Sequence, residues 1–395
     1  MNKISTKELF TVVISLLTLC FPTLGTQLIL NTGNTSSLLI LIIGYIISII
    51  PFFIIIKISN KLTNQNIFQY NIEKFKIIGH IINTIYTILL LYLAFMLAWT
   101  TLIFTINQLL IRNSYYIVAF IYSCILAFAV CKGKEIICRT SLVLYFILIF
   151  SFIIGFSLLI PEIDPENILP IISVSKSKII ALALTIPSYF ILPLTVILCI
   201  KRNDITDKHK LTKSLIIAYI TGAIIIFIFY FFIISIYGID LASIFIYPEY
   251  ILFKKINLFN FIQRVENIMS TSFFISSFSG ICFILYFIKL YIKDTLKIKN
   301  KNKINITTFI LTIAIAFTSI YLFTNYKIQI LILKFPYIFG LIFPVLIINF
   351  ILIRLTAIMM QPLLGIMIIG DYLLVTFLKR LNVIYILAMI MKNLI

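Results

Sequence analysis

Residues 21–27 read FPTLGTQ. They lie inside an apolar run from Leu9 to Leu30, long enough to cross the ~30 Å of hydrocarbon in a bilayer. Pro22 and Gly25 fall near the middle of that run. A proline inside a helix removes a backbone donor and clashes with the preceding turn. In lipid the freed carbonyl finds no water. The helix is therefore interrupted at the depth where interruption costs most, and something in the fold must satisfy it.

The rest of the chain supplies the setting. Its 395 residues are 62% hydrophobic and 11% charged, with mean hydropathy +1.15. A soluble domain carries about a quarter charged residues. Apolar runs of helical length recur from end to end, whereas a membrane β-barrel would show short alternating segments. The sequence predicts an all-α polytopic membrane protein. The net charge of +19 sits in short loops between apolar runs. That pattern follows the positive-inside rule and argues against nucleic-acid binding. The six cysteines lie mostly in or beside apolar runs, and Cys131 and Cys138 flank KGKEII with no zinc-type spacing. No metal cluster and no cofactor is expected. The start, MNKISTKELF, lacks a following small-residue cleavage site, so the first helix is read as retained.

Ten spans are predicted, at 8–30, 36–56, 78–110, 115–131, 140–160, 178–200, 214–237, 265–290, 306–324 and 332–353. With the N-terminus in the cytoplasm, the inside segments hold 21 Lys and Arg against 8 outside. The transporter-like domain is assigned to 1–354. The apolar tail 355–395 contains Pro362 and Asp371, and both an extra span and an interfacial segment are open for it.

The sixth span repeats the anomaly of the first. Leu182–Leu198 reads LALTIPSYFILPLTVIL, with Pro187 and Pro193 near its middle. Interrupted segments that open both halves of a five-plus-five arrangement point to an inverted-repeat transporter of LeuT-like architecture, with a midplane site between helices one and six. The ligand-binding candidates are Thr23, Gly25 and Thr26 on the first helix, Ser188 and Tyr189 on the sixth, and Trp99 on the third, where it could wall the cavity near Thr100 and Thr101. Pro22, Pro187 and Pro193 would shape or gate the site. An amino acid suits it, with its carboxylate at a half-helix N-terminus and its ammonium near carbonyls and hydroxyls. Two plainer readings stay open: a proline kink, and hydroxyls that simply join helices.

Four stretches together resemble the B-subunit family of spore germinant receptors (GerAB/GerKB type), within the amino acid–polyamine–organocation transporter superfamily. They are ISTKELFTVVISLLTLCFPTLGTQLIL (4–30), the second helix and loop from Asn34 to Asn71, PEIDPENILPI (161–171) and FNFIQRVENIMSTSFFISSFSGICFILYF (259–287). The resemblance covers roughly 1–354. It implies a nutrient-sensing subunit of the spore inner membrane, working with a larger A subunit and a lipoprotein C subunit. In the last stretch the family typically has an acidic residue after Arg-Val or Arg-Ile; here these are Arg264, Val265 and Glu266. The chain departs from the family in LAWTTLIFTINQLL (97–110), which lacks charged residues, and in its longer tail.

The remaining candidates are few. Ionisable residues within spans are functional candidates by default. Glu266 could gate or couple at the outer end of span eight, or form an interfacial ion pair. Glu8 fits a helix N-terminus. Ser276 and Ser277 are weak sodium-site candidates, or packing residues. His80 and His209 are too far apart in sequence to suggest a metal site. The basic loop 291–305 suits anionic membrane lipid or another subunit. No GxSxG, P-loop or HExxH motif occurs, so no enzyme is expected. A stand-alone ion-coupled amino-acid permease is the alternative function.

Overall fold

The computed structural model describes residues 3–110, 113–256, 266–298, 300–323, 338 and 340–359. The chain divides into two compact units, Met1–Phe350 and Ile351–Ile395. Only residues 351–359 of the second are described. Among the described residues, nine helical stretches are long and apolar enough to cross a membrane.

The first predicted span is two helices, α1 (Thr6–Leu24) and α2 (Thr26–Gly33), meeting at Gly25. The second is α3 (Ser37–Lys61). The third lies in α4 (Ile67–Phe104), which is two helices joined at Lys76; the second of them starts beside the predicted 78 and ends in a π-helical turn, Thr105–Leu109. Spans four and five are α5 (Tyr115–Lys132) and α6 (Lys134–Leu159). Span six is α7 (Lys176–Ala183), a turn at Leu184 and Thr185, α8 (Ile186–Leu194) and a 3-10 turn, Thr195–Cys199. Span seven is α9 (Leu211–Ile244), which kinks at Gly238. A short helix, α10 (Pro248–Lys254), follows it. Spans eight and nine are α11 (Glu266–Asp294) and α12 (Lys301–Phe323). The tenth span is described only as α13 (Ile342–Met359); its predicted start at 332 lies outside the described residues.

The sixth span corrects the expectation that its prolines mark the break. The break is at Leu184–Thr185, and Pro187 stands in the first turn of the helix that follows. A proline costs nothing there, because the first helical N–H groups have no partner in any case. Pro193 sits near the end of α8, where the helix tightens into the 3-10 turn.

Helix α1 is the centre of the bundle and packs against α9, α11, α6 and α8. Almost all of it from Leu9 to Phe21 is buried. On the N-terminal face of the bundle the connectors are tied together. Ser5 and Glu8 form a capping box at the start of α1, which gives Glu8 the structural role foreseen for it. Ile4 donates its N–H to the Asp204 carbonyl at 2.8 Å, and its own carbonyl accepts from Thr206 at 3.0 Å. Lys134 pairs with Asp204. Asp294 accepts from the amides of Asn66 (2.5 Å) and Gln69 (3.0 Å) at the start of α4.

Within α4 the chain turns sharply at Lys76, where φ is 48°, and this separates its first two turns from the crossing helix. The turn brings Gly79 against the earlier segment. A Cβ at Gly79 would lie 2.0 Å from the Asn71 carbonyl oxygen, a backbone atom that cannot swing away. Gly79→Ala should therefore destabilise the detergent-solubilised protein by about 1–3 kcal/mol, the usual cost of overpacking. Gly340→Ala, with open space around its Cβ, should leave the thermal unfolding midpoint unchanged or slightly raised.

Candidate functional site

The break in the first span is narrow. Gly25 keeps helical dihedrals (φ −108°, ψ −33°) and donates its N–H to the Phe21 carbonyl at 2.7 Å. Its need for glycine is steric, since a Cβ there would stand 2.8 Å from the Phe21 ring. That ring cannot yield easily. It is fully buried, stacks on Phe190 at 5.1 Å, meets Tyr189 edge-on at 5.8 Å and lies 5.7 Å from Tyr230. Phe21 thus joins the break of helix one to α8 in the sixth span and to α9. Beside it, Thr23 bonds back to the Leu19 carbonyl at 2.6 Å, taking up a carbonyl in the turn that Pro22 disturbs.

Across the break stands a residue the sequence did not single out. Glu249, in the first turn of α10, is 6% exposed. It accepts a 2.5 Å hydrogen bond from the Thr26 hydroxyl, at the start of α2. The buried Tyr230 hydroxyl lies beside this pair, next to the Thr26 hydroxyl. Burial, the largest influence, pushes the Glu249 carboxyl from 4.5 up to about 7. Bonds from Thr26 and from its own backbone pull it back only in part. Among the described residues no cation pairs with it. Lys255, on the same helix, pairs with Glu162 at 3.5 Å, and Lys254 stands over the Tyr250 ring.

Glu249 opens into a cavity of about 40 Å³, room for roughly three waters. Pro22 and Thr23 form one wall, Thr100 and Phe104 of α4 another, and Phe273 of α11 a third. Of the predicted ligand-binding residues, Thr23 lines this space, Thr26 reaches it through Glu249, and Gly25 is the break itself. Tyr189 lies outside the cavity lining and meets the Phe21 ring edge-on. Ser188 is buried and donates to the Thr185 carbonyl at the break of the sixth span, and Pro187 and Pro193 also lie outside the cavity lining. Trp99 is half-buried next to Thr100. Glu266 opens α11, three residues before the cavity-lining Met269; Arg264, Val265 and Asp371 lie outside the described residues.

The hydroxyls of α11 join helices. Ser276 meets Thr18 of α1 at 3.1 Å, and Ser277 meets Thr101 of α4 at 2.9 Å and also Tyr122 of α5. A sodium ion bound there would have to replace those pairs. Among the described residues no cluster of His, Cys, Asp and Glu could hold a metal ion.

A family model described as "Spore germination protein" matches residues 3–328. No curated protein matches the sequence. A solved structure of a sodium-coupled sialic acid symporter, in its substrate-bound outward-open state, superposes with a TM-score of 0.61 at 12% identity. The superposition covers 86% of this chain and 78% of that one. The chain therefore has the LeuT-like fold expected from its helix order.

The raised carboxyl of Glu249 has a thermodynamic consequence. Between about pH 4.5 and about pH 7 the folded chain holds a proton that the unfolded chain has released. Stability must fall as pH rises through that window and level off above it. In thermal unfolding of the purified protein, the wild type should lose on the order of 3 kcal/mol relative to Glu249→Gln between pH 4.5 and pH 8. Parallel pH profiles for the two proteins would place the carboxyl in an ordinary aqueous setting.

Proposed function

The chain belongs to the spore germination protein family, and from that premise we propose that it is the membrane subunit of a nutrient-germinant receptor. It senses a small nutrient, an amino acid by its chemistry, at the interrupted first helix. The buried Thr26–Glu249 pair, opening into a small cavity at that interruption, is the observation that carries this reading. A transport fold fits sensing because a ligand that closes such a cavity can shift the helices meeting there. The cavity is lined by the late residues of spans one and three and the first residues of span eight, the ends on the side opposite the N-terminus. With the N-terminus in the cytoplasm, as the lysine distribution favours, that side faces outward from the spore inner membrane, toward arriving nutrient. The A and C subunits of the receptor are the proposed partners.

A stand-alone ion-coupled permease is the second reading, favoured by the structural likeness to a sodium-coupled symporter. Uptake of labelled amino acids by cells expressing this chain alone, dependent on an ion gradient, would support it over the receptor.

The receptor reading is tested in spores. Gly25→Leu forces a bulky side chain against the Phe21 ring and should distort the interruption. With protein level matched to wild type, these spores should lose germination with one nutrient of an amino-acid panel and keep it with the others. Unchanged responses to every nutrient would leave the interruption as a kink and overturn the reading.

A further inference from the structure

The cavity beside Glu249 has a chemical character of its own. Four aromatic side chains line it: Phe104, Tyr247, Tyr250 and Phe273. Phe104 is their hub, with Tyr247 and Tyr250 edge-on at 5.2 Å and Phe273 at 4.9 Å. Aromatic faces attract cations, most strongly where water is excluded. One of these rings already receives an ammonium from outside the cavity, as Lys254 Nζ stands 4.9 Å from the Tyr250 centroid. The acid in the lining is a buried carboxyl with no cation partner among the described residues. A buried carboxyl that meets no cation must keep a proton or accept a cation from elsewhere. The buried Tyr230 hydroxyl, next to Thr26, adds a second polar group beside the Thr26–Glu249 pair.

We propose that this cavity is an ammonium box, in which Glu249 and the rings of Phe104, Tyr247, Tyr250 and Phe273 receive the positively charged amino group of a small ligand. The inference rests on the sensing role proposed above and narrows its ligand to molecules with a free ammonium group. It also gives the ligand a direction. The ammonium lies toward α10, and any carboxylate lies toward the interrupted α1 and α2. A volume of about 40 Å³ favours ligands of few heavy atoms.

The test uses the full chain in nanodiscs of phosphatidylethanolamine and phosphatidylglycerol. Binding is read by isothermal titration calorimetry. Methylammonium chloride is the minimal probe, with potassium chloride matching ionic strength. Glycine and N-acetylglycine compare a free with a blocked amino group. Methylammonium and glycine should give a saturable response, and N-acetylglycine should not. Glu249→Gln, which keeps the shape and an acceptor for Thr26, should weaken methylammonium about tenfold or more, as expected for loss of a charged partner. Tyr250→Leu should weaken it by a smaller factor while leaving the carboxyl in place. No saturable methylammonium response in wild type, or equal affinity in wild type and Glu249→Gln, would overturn the proposal. If that happens while Gly25→Leu spores still lose one nutrient response, the ammonium box fails and the sensing site stands. If Gly25→Leu spores respond normally while methylammonium binding depends on Glu249, the box stands and the sensing role fails.

Discussion

The Phe21 ring fixes where the first helix can be interrupted. It is enclosed by Tyr189 and Phe190 from the sixth span and Tyr230 from the seventh, so its position belongs to the bundle as a whole. Only a residue without a Cβ fits beside it four positions later. Gly25 meets that requirement, and Pro22 weakens the same turn by withholding a donor. The interruption thus follows from packing between the two halves of the fold. Because α2 restarts at Thr26, the hydroxyl of its first residue is placed against the carboxyl of Glu249.

That carboxyl would be costly to bury without a reason. Burial outweighs its hydrogen bonds and keeps its proton affinity high. The rest of the buried polar chemistry near the break is neutral. Thr18 with Ser276 and Thr101 with Ser277 are hydroxyl pairs between helices, each worth well under about 2 kcal/mol in a membrane. They bring α11 close to α1 and α4 and so shape one wall of the cavity. Glu249 is the carboxyl in that neighbourhood, and its burial makes it hold its proton more tightly.

Much of this architecture is written locally. Apolar runs mark the spans because each must cross hydrocarbon, and Pro22 with Gly25 marks the first interruption. The sixth interruption is marked less faithfully, because Pro187 is tolerated in a first helical turn and so follows the break at Thr185. The short helix before Lys76 is not legible as part of a span, because residues 67–75 are helical yet polar, whereas the crossing helix after it starts where the apolar run does. Glu249 was legible only in hindsight. In IFIYPEYILF (244–253) an acid stands among apolar and aromatic residues, with Pro248 opening a helix around it. Its burial depends on α10 packing against α9 and α11, which are distant contacts that no local pattern records. The converse holds for Ser188, Ser276 and Ser277. Their composition suggested ligands, but their hydroxyls are engaged by backbone and by neighbouring helices.

The dependence of the interruption on the Phe21 ring can be measured directly by a double-mutant cycle in thermal or denaturant unfolding of the solubilised protein. Gly25→Ala should be destabilising where Phe21 is present, because the new Cβ meets the ring. In a Phe21→Ala background the same change should cost little, giving a coupling energy of about 1 kcal/mol or more. Additive effects within about 0.5 kcal/mol would contradict the account, since Gly25 would then be required by something other than the ring.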